Sequence, residues 1–310
     1  MGRGAQPVRF GEPLEQDFIG AIQRALDLGI NFFDSSDAYW GSRHEVLIGR
    51  ALKSHRDRAL IASKFGNIDL PDGGKAVNGR PEYVYSSCDE SLKRLGLEVI
   101  DVYYLHRVDP GVPIEETIGA MARLVARGKV RWLGICEALP ETLKRAQAEH
   151  PLAALQTEYS LWFRGVEEKI LPACRELGIG FVPYAPLGRG LLTGRIKTVD
   201  DLPPGDRRRS HPRFRPENLA RNVELVREIE ELAKAKGAAP TQIALAWLLA
   251  QGEDIVPIPG TNHAHNVEQN AGAAELTLDA GEIEHLSAVF SVGAGAGERY
   301  NPKLLEQWGF

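Results

Sequence analysis

Apolar residues in this chain follow two alternating rhythms. Short, nearly continuous apolar runs occupy 30–34 (INFFD), 59–64 (ALIASK), 99–105 (VIDVYYL), 153–157 (AALQT), 181–184 (FVPY) and 254–259 (DIVPIP), with a further run inside 128–138 (GKVRWLGICEA). Each has the length and the bounding turns of a strand. Between them, apolar residues recur at helical spacing over 14–29, 80–96, 113–128, 138–150, 165–178 and 218–237, several of these stretches stopping at a glycine. The 165–178 stretch contains Pro172. Strand, loop, helix, loop repeated in this order predicts a parallel sheet covered by helices.

After residue 237 the rhythm changes, with two helices predicted, over 239–252 before the last strand and over 276–290 after it. The tail 291–310 begins with the glycines of SVGAGAG, predicting a flexible start, and ends with amphipathic character. No linker interrupts residues 1–310, which predicts one domain with an irregular 1–13 and a terminal tail. The expected architecture is a (β/α)8 TIM barrel with an extra C-terminal helix. Seven strand-like runs fall one short of closure. The first strand and N-terminal hairpin therefore read as missing or truncated, with AQPVRF (5–10) as a poor substitute.

Composition narrows the function classes. The 310 residues are 43% hydrophobic and 25% charged, ordinary for a chain with a real core. A net charge of −5 gives no reason to expect nucleic acid. Cys88, Cys136 and Cys174 lack metal-ligand spacing, so no metal is expected, and they suit a reducing compartment. No apolar run is long enough to cross a bilayer, and the start lacks a secretory apolar stretch. A cytoplasmic monomer or small homo-oligomer is expected.

The residues able to do chemistry cluster at strand ends. Asp34 and Lys64 close their strands, His106 and the pair Gly260-Thr261 follow theirs, Gln156 lies within one and Tyr184 ends another. Parallel strands of a barrel all end on one face, where such barrels hold their active sites. Taken with Tyr39, Asp34, Lys64 and His106 make a general acid. A free phenol titrates near ~10; a neighbouring ammonium lowers that value, an aspartate keeps the lysine charged, and a histidine orients a substrate oxygen. These groups suit protonation of a carbonyl oxygen while hydride arrives at its carbon.

On these residues the chain resembles the aldo-keto reductases. INFFDSSDAY (30–39), IASKFG (61–66) and VYYLHRVD (102–109) match in order. GKVRWLGICEA (128–138), LQTEYSLW (155–162), VPYAPLGRGLLTG (182–194) and IPGTNHAHNVEQN (258–270) continue the match. EYSLW and the DRRRSHPRF loop are similar to the perakine-reductase-like and pyridoxal-reductase-like ("auxin-induced") branch. The resemblance implies that Tyr39 is the proton donor, tuned by Lys64 and Asp34, with His106 orienting the carbonyl. It also implies a nicotinamide cofactor across the barrel mouth. Gln156 would hold its carboxamide and Tyr184 would stack on its ring. Pro186, Leu187, Gly188, Arg189 and Gly190 would follow the pyrophosphate, and Gly260, Thr261, Gln269 and Asn270 would enclose the adenosine.

Two departures from the family pattern matter. Cys136-Glu137 replaces the usual Ser-Asn, leaving Glu137 to accept from the carboxamide. Asn262-His263 replaces the Lys-Arg that suits an extra 2′-phosphate. NADP(H) is the expected cofactor, with NAD(H) the alternative. The basic run 206–215, with Arg207, Arg208 and Arg209, would form a lid supplying the missing phosphate contact. GRGLLTG (188–194) is spaced GxGxxxG and is not a Rossmann fingerprint. Trp40 and Trp162, with Phe163, would wall an apolar site for an aromatic carbonyl compound. Two other readings compete: a cofactor-binding regulatory subunit with negligible turnover, and a Schiff-base enzyme using Lys64.

Overall fold

In the computed structural model, residues 15–70 and 74–300 are described. The reading of residues 1–13, including AQPVRF, and of the amphipathic end of the tail lies outside them. Among the described residues, six parallel strands form one sheet in the order β1 (Phe32–Asp34), β2 (Leu60–Phe65), β5 (Ile100–Leu105), β6 (Val130–Cys136), β7 (Leu152–Glu158) and β8 (Gly180–Tyr184). A separate antiparallel hairpin, β3 (Asn67–Asp69) and β4 (Lys75–Val77), follows β2.

The seventh predicted strand, 254–259, is reduced to a bridge between Ile255 and Phe181. Val256 and Ile258 still donate to the carbonyls of Phe181 and Pro183, at 2.9 and 3.1 Å. Pro257 and Pro259 alternate with these residues and carry no N–H, so this segment cannot extend a ladder along its other edge.

The helices are α1 (Glu15–Asp27), α2 (Arg43–Leu52), α3 (Pro81–Leu95), α4 (Ile114–Ala126) and α5 (Pro140–Glu149), then α6 (Ile170–Leu177), α7 (Pro216–Lys236), α8 (Pro240–Leu249), α9 (Ala264–Ala271) and α10 (Ala280–Val289). Pro81, Pro140, Pro216 and Pro240 each open a helix, where a missing N–H costs nothing. The same rule corrects the predicted helix over 165–178. It begins at Ile170, which places Pro172 in the first turn. The helix predicted from 276 begins at Ala280, where Asp279 and Glu282 form a capping box.

Helix α1 lies against α9, with Arg24 and Glu268 paired at 2.7 Å, so the two ends of the curled sheet are joined by helices. The result is a (β/α)8-barrel-like fold. Its interior is lined by Ala62, Val102, Tyr104, Cys136, Ala154 and Val182. Gly134 admits the Tyr104 ring there, because a Cβ at 134 would stand 2.3 Å from that ring.

The tail also departs from expectation. Asn222 of α7 donates to the Ala296 carbonyl at 3.0 Å and accepts from its N–H at 2.8 Å. A Cβ at Gly297 would stand 2.7 Å from the backbone of Pro212. The glycines permit this close approach; they do not leave the segment untethered.

Candidate active site

Strands β1, β2 and β5 bring Asp34, Lys64 and His106 together at their carboxyl ends, and the turn after β1 adds Tyr39. Lys64 is fully buried. Its ammonium pairs with Asp34 Oδ1, donates to the Ser35 carbonyl at 2.7 Å, and lies 3.3 Å from the Tyr39 hydroxyl. The His106 ring meets the Tyr39 ring edge-on, with centroids 5.9 Å apart. Gln156 donates to Asp34 Oδ2 at 2.8 Å. Asp34 therefore joins the lysine to the residue expected at the carboxamide.

The electrostatics correct one expectation. Burial raises the Tyr39 phenol above its ordinary value, and the Lys64 ammonium only partly offsets it. The resting phenol is thus a stored proton. Lys64 acts by stabilising phenolate as it forms. Burial alone would depress the Lys64 ammonium, but Asp34 and Tyr39 raise it overall. A lysine so held is no Schiff-base nucleophile. Burial, then Lys64 and Arg107, push His106 well below the usual imidazole range, so it is neutral.

His44 is a member that the sequence reading missed. Its Nδ1 bonds Ser35 Oγ at 2.8 Å, and its ring packs edge-on to Tyr39 at 5.7 Å and Trp40 at 4.8 Å. Burial and the Lys64 ammonium hold it at about 4. Burial, followed by Arg189, does the same to His211, also to about 4. Because the unfolded imidazole titrates near ~6.5, the stability these residues contribute is present above that pH and lost as pH falls toward 4. Urea midpoints measured across this interval should fall, and His44→Gln should flatten the loss.

A cleft of about 410 Å³ opens beyond β8. Pro186, Leu187, Arg189 and Gly190 line one side, and Gly260, Thr261, Gln269 and Asn270 line the other. Gly188, Arg189 and Gly190 all have left-handed backbone, with φ of 57, 59 and 94°. Asn262 belongs to the loop after Thr261, preceding α9. Arg195 lines the cleft and donates to Asn266 Oδ1 and Gln269 Oε1, both at 3.2 Å. Of the expected lid, Arg208 is tied to Asp206 at 2.6 Å and to the Arg189 carbonyl at 3.0 Å. Arg209 donates to the Leu202 carbonyl and Arg207 is exposed. Only Arg208 of these three lines the cleft.

Other expected contacts are already engaged. Glu137, in left-handed backbone at φ 52°, pairs with Arg299 of the tail and accepts from the Glu158 N–H at 3.2 Å. The Tyr184 hydroxyl bonds Arg299 at 2.8 Å and Tyr300 at 2.7 Å. Buried Glu158 binds Arg213 at 2.8 Å and Arg299 at 3.0 Å. Trp162 is largely buried, 7% exposed, and packs against Phe290 and Gly295. Trp40 packs against Phe18 at 5.4 Å as well as His44.

Comparison with known proteins agrees with this geometry. A model of the Aldo/keto reductase family matches residues 5–290. A probable aldo-keto reductase 1 from Glycine max is 48% identical over 293 residues, which are 94% of this chain and 84% of that protein. The structure of glycerol dehydrogenase AKR11B4 from Gluconobacter oxydans superposes with a TM-score of 0.84 at 28% identity, covering 95% of this chain and 90% of that one. An aldo-keto reductase from Klebsiella pneumoniae in complex with NADPH has a TM-score of 0.71 at 26% identity, over 90% and 86% of the two chains.

Proposed function

Because the chain belongs to the aldo/keto reductase family, we propose that it reduces an aldehyde or ketone to the alcohol, with Tyr39 as general acid and NADPH as the hydride source. The observation that carries this reading is the Lys64 ammonium, 3.3 Å from the Tyr39 hydroxyl and paired with Asp34. Phenol, ammonium and neutral imidazole converge where a carbonyl oxygen would be protonated. We also assign the chain to the perakine-reductase-like and pyridoxal-reductase-like branch, on EYSLW and the DRRRSHPRF loop.

The cleft fits a dinucleotide. Left-handed backbone at Gly188, Arg189 and Gly190 shapes the loop beside it, and Arg189, Arg195 and Arg208, which line it, supply positive charge suited to phosphate. Gln156, Tyr184 and the 186–190 loop would hold the nicotinamide half, and Gly260, Thr261, Gln269 and Asn270 the adenosine. When bound, the cofactor supplies hydride to the carbonyl carbon. The chain does the remaining work. Tyr39 gives its proton to the oxygen, Lys64 stabilises the phenolate that forms, and His106 orients the oxygen by a hydrogen bond. Asp34 keeps Lys64 charged and aimed.

NADPH is favoured over NADH by Arg195. Its guanidinium has neutral amide partners on α9, beside the loop that lacks Lys-Arg. A charged hydrogen bond contributes about 1.5–3 kcal/mol, or roughly 10- to 100-fold in affinity. Arg195→Gln should therefore raise KM for NADPH by about that factor and leave KM for NADH nearly unchanged. Equal losses for both cofactors, or a wild-type preference for NADH, would overturn the assignment. Half-buried Trp40, next to Tyr39, supports an apolar or aromatic carbonyl compound as the substrate class, tested by a panel of aldehydes and ketones with both cofactors.

A further inference from the structure

Ser36, immediately after the two site residues Asp34 and Ser35, has a role that the tetrad leaves unassigned. It is fully buried. Its Oγ lies 3.2 Å from His106 Nδ1 and 3.2 Å from Asp37 Oδ1, and it accepts from the Ala38 N–H at 3.1 Å. A hydroxyl has one proton, so it can donate to the imidazole or to the carboxyl, not to both. A neutral imidazole also has one proton, and whichever nitrogen lacks it must accept.

Two arrangements of the chain Asp37–Ser36–His106 satisfy every group. In the first, Asp37 is protonated and donates to Ser36 Oγ, Ser36 donates to Nδ1, and His106 presents Nε2–H. In the second, Asp37 is ionised and draws the serine proton, Nδ1–H donates to Ser36 Oγ, and Nε2 is a bare acceptor. A carbonyl oxygen needs the first form, because only an N–H can bond it. The alcohol of the reverse reaction needs the same form, because its single hydroxyl proton returns to Tyr39 and its oxygen still accepts from Nε2–H.

We propose that Ser36 and Asp37 are positioning residues that set the tautomer of His106, and so switch the site between a form that can bond the substrate oxygen and one that cannot, according to the charge on Asp37. The assignment rests on the reductase reading for its consequence, although the tautomer itself is independent of turnover. Asp37 is well placed for the role. It is half-buried, its N–H donates to the Lys64 carbonyl at 3.1 Å, and its carbonyl accepts from Ser42 Oγ at 2.7 Å. The charged and titratable groups around its carboxyl are Glu45 from α2, Tyr83 and Arg94 from α3, and Tyr103 from β5. Arg94 is held by Glu45 at 2.6 Å, which limits its pull on Asp37. Burial, with the Glu45 charge, raises Asp37 to about 7. The switch therefore lies near neutrality.

The test is the imidazole nitrogen-15 spectrum of His106 across the interval around pH 7, in the protein without cofactor, paired with kcat for both directions. The nitrogen bearing the proton should change from Nε2 to Nδ1 as pH rises. Asp37→Asn, whose amide can donate to Ser36 Oγ at any pH, should lock the Nε2–H form. In both directions kcat of the wild-type protein should fall about tenfold as pH rises through this interval, at the low end of what a positioned proton-transfer group contributes, and Asp37→Asn should abolish that fall. Ser36→Ala should lower kcat in both directions with cofactor Kd unchanged, and Ser36→Thr should restore it. A single His106 tautomer throughout, unaltered by Asp37→Asn, overturns the proposal whatever the activity. A tautomer change in a protein that transfers no hydride leaves the switch standing and sinks the reductase reading alone.

Discussion

Tyr39→Phe should lower kcat for carbonyl reduction by on the order of 10³- to 10⁴-fold, the upper range for loss of a general acid. The substitution removes one hydroxyl and little else. The ring keeps its edge-on contacts with His44 and His106, at 5.7 and 5.9 Å, so the turn that carries it should persist. Cofactor affinity, read from fluorescence titration, should be unchanged, because the cleft beyond β8 has no lining residue between 34 and 106. A variant retaining more than a tenth of wild-type kcat would show that the proton comes from elsewhere. A variant that loses cofactor binding equally would make Tyr39 a binding residue.

Lys64→Met should be costly twice over. The side chain is fully buried and its carboxylate partner nearly so, with side-chain exposures of 0 and 9%. Removing one partner of such a pair leaves an uncompensated charge and typically costs about 3–5 kcal/mol of stability. Activity should fall as well. Unit charges 4 Å apart at an effective dielectric of 20 attract by roughly 4 kcal/mol, which is about a thousandfold in rate. The double variant Asp34→Asn, Lys64→Met separates the two losses. It should regain most of the stability in urea unfolding, since the orphan carboxylate is gone, and remain as inactive as Lys64→Met. Recovery of activity in the double variant would mean that the ammonium serves the fold and not the phenol. Lys64→Arg is no substitute, because a planar guanidinium cannot reproduce three bonds aimed from one nitrogen.

The path from sequence to site was short wherever one physical rule governs. Parallel strands share a direction, so Asp34, Lys64, Gln156 and Tyr184 could be placed on one face from apolar runs alone. Other features had weak local signals or none. Helix α2 begins after Ser42, in left-handed backbone at φ 70°, without the side-chain cap that marks a helix start in sequence. Its buried Leu47, Ile48, Ala51 and Leu52 were the available signal. The contact of Arg299 with Glu137 spans 162 positions, and no spacing rule reaches that far. The same holds for Ser36 and His106, 70 apart. At Tyr39 a neighbouring ammonium can be read from sequence, whereas the depth of burial that outweighs it cannot. Conversely, Pro257 and Pro259 are plain in the sequence, and their missing N–H groups argue against a full strand over 254–259.

Isotope transfer tests the central claim most directly. Reduced nicotinamide cofactor carrying deuterium at its transferable position would be incubated with the protein and an aromatic aldehyde, and the alcohol analysed by mass spectrometry. The account predicts one deuterium on the carbinol carbon from the wild-type protein, with the Tyr39→Phe product reduced to a trace. An aldehyde recovered unchanged, with every label still on the cofactor, would contradict it.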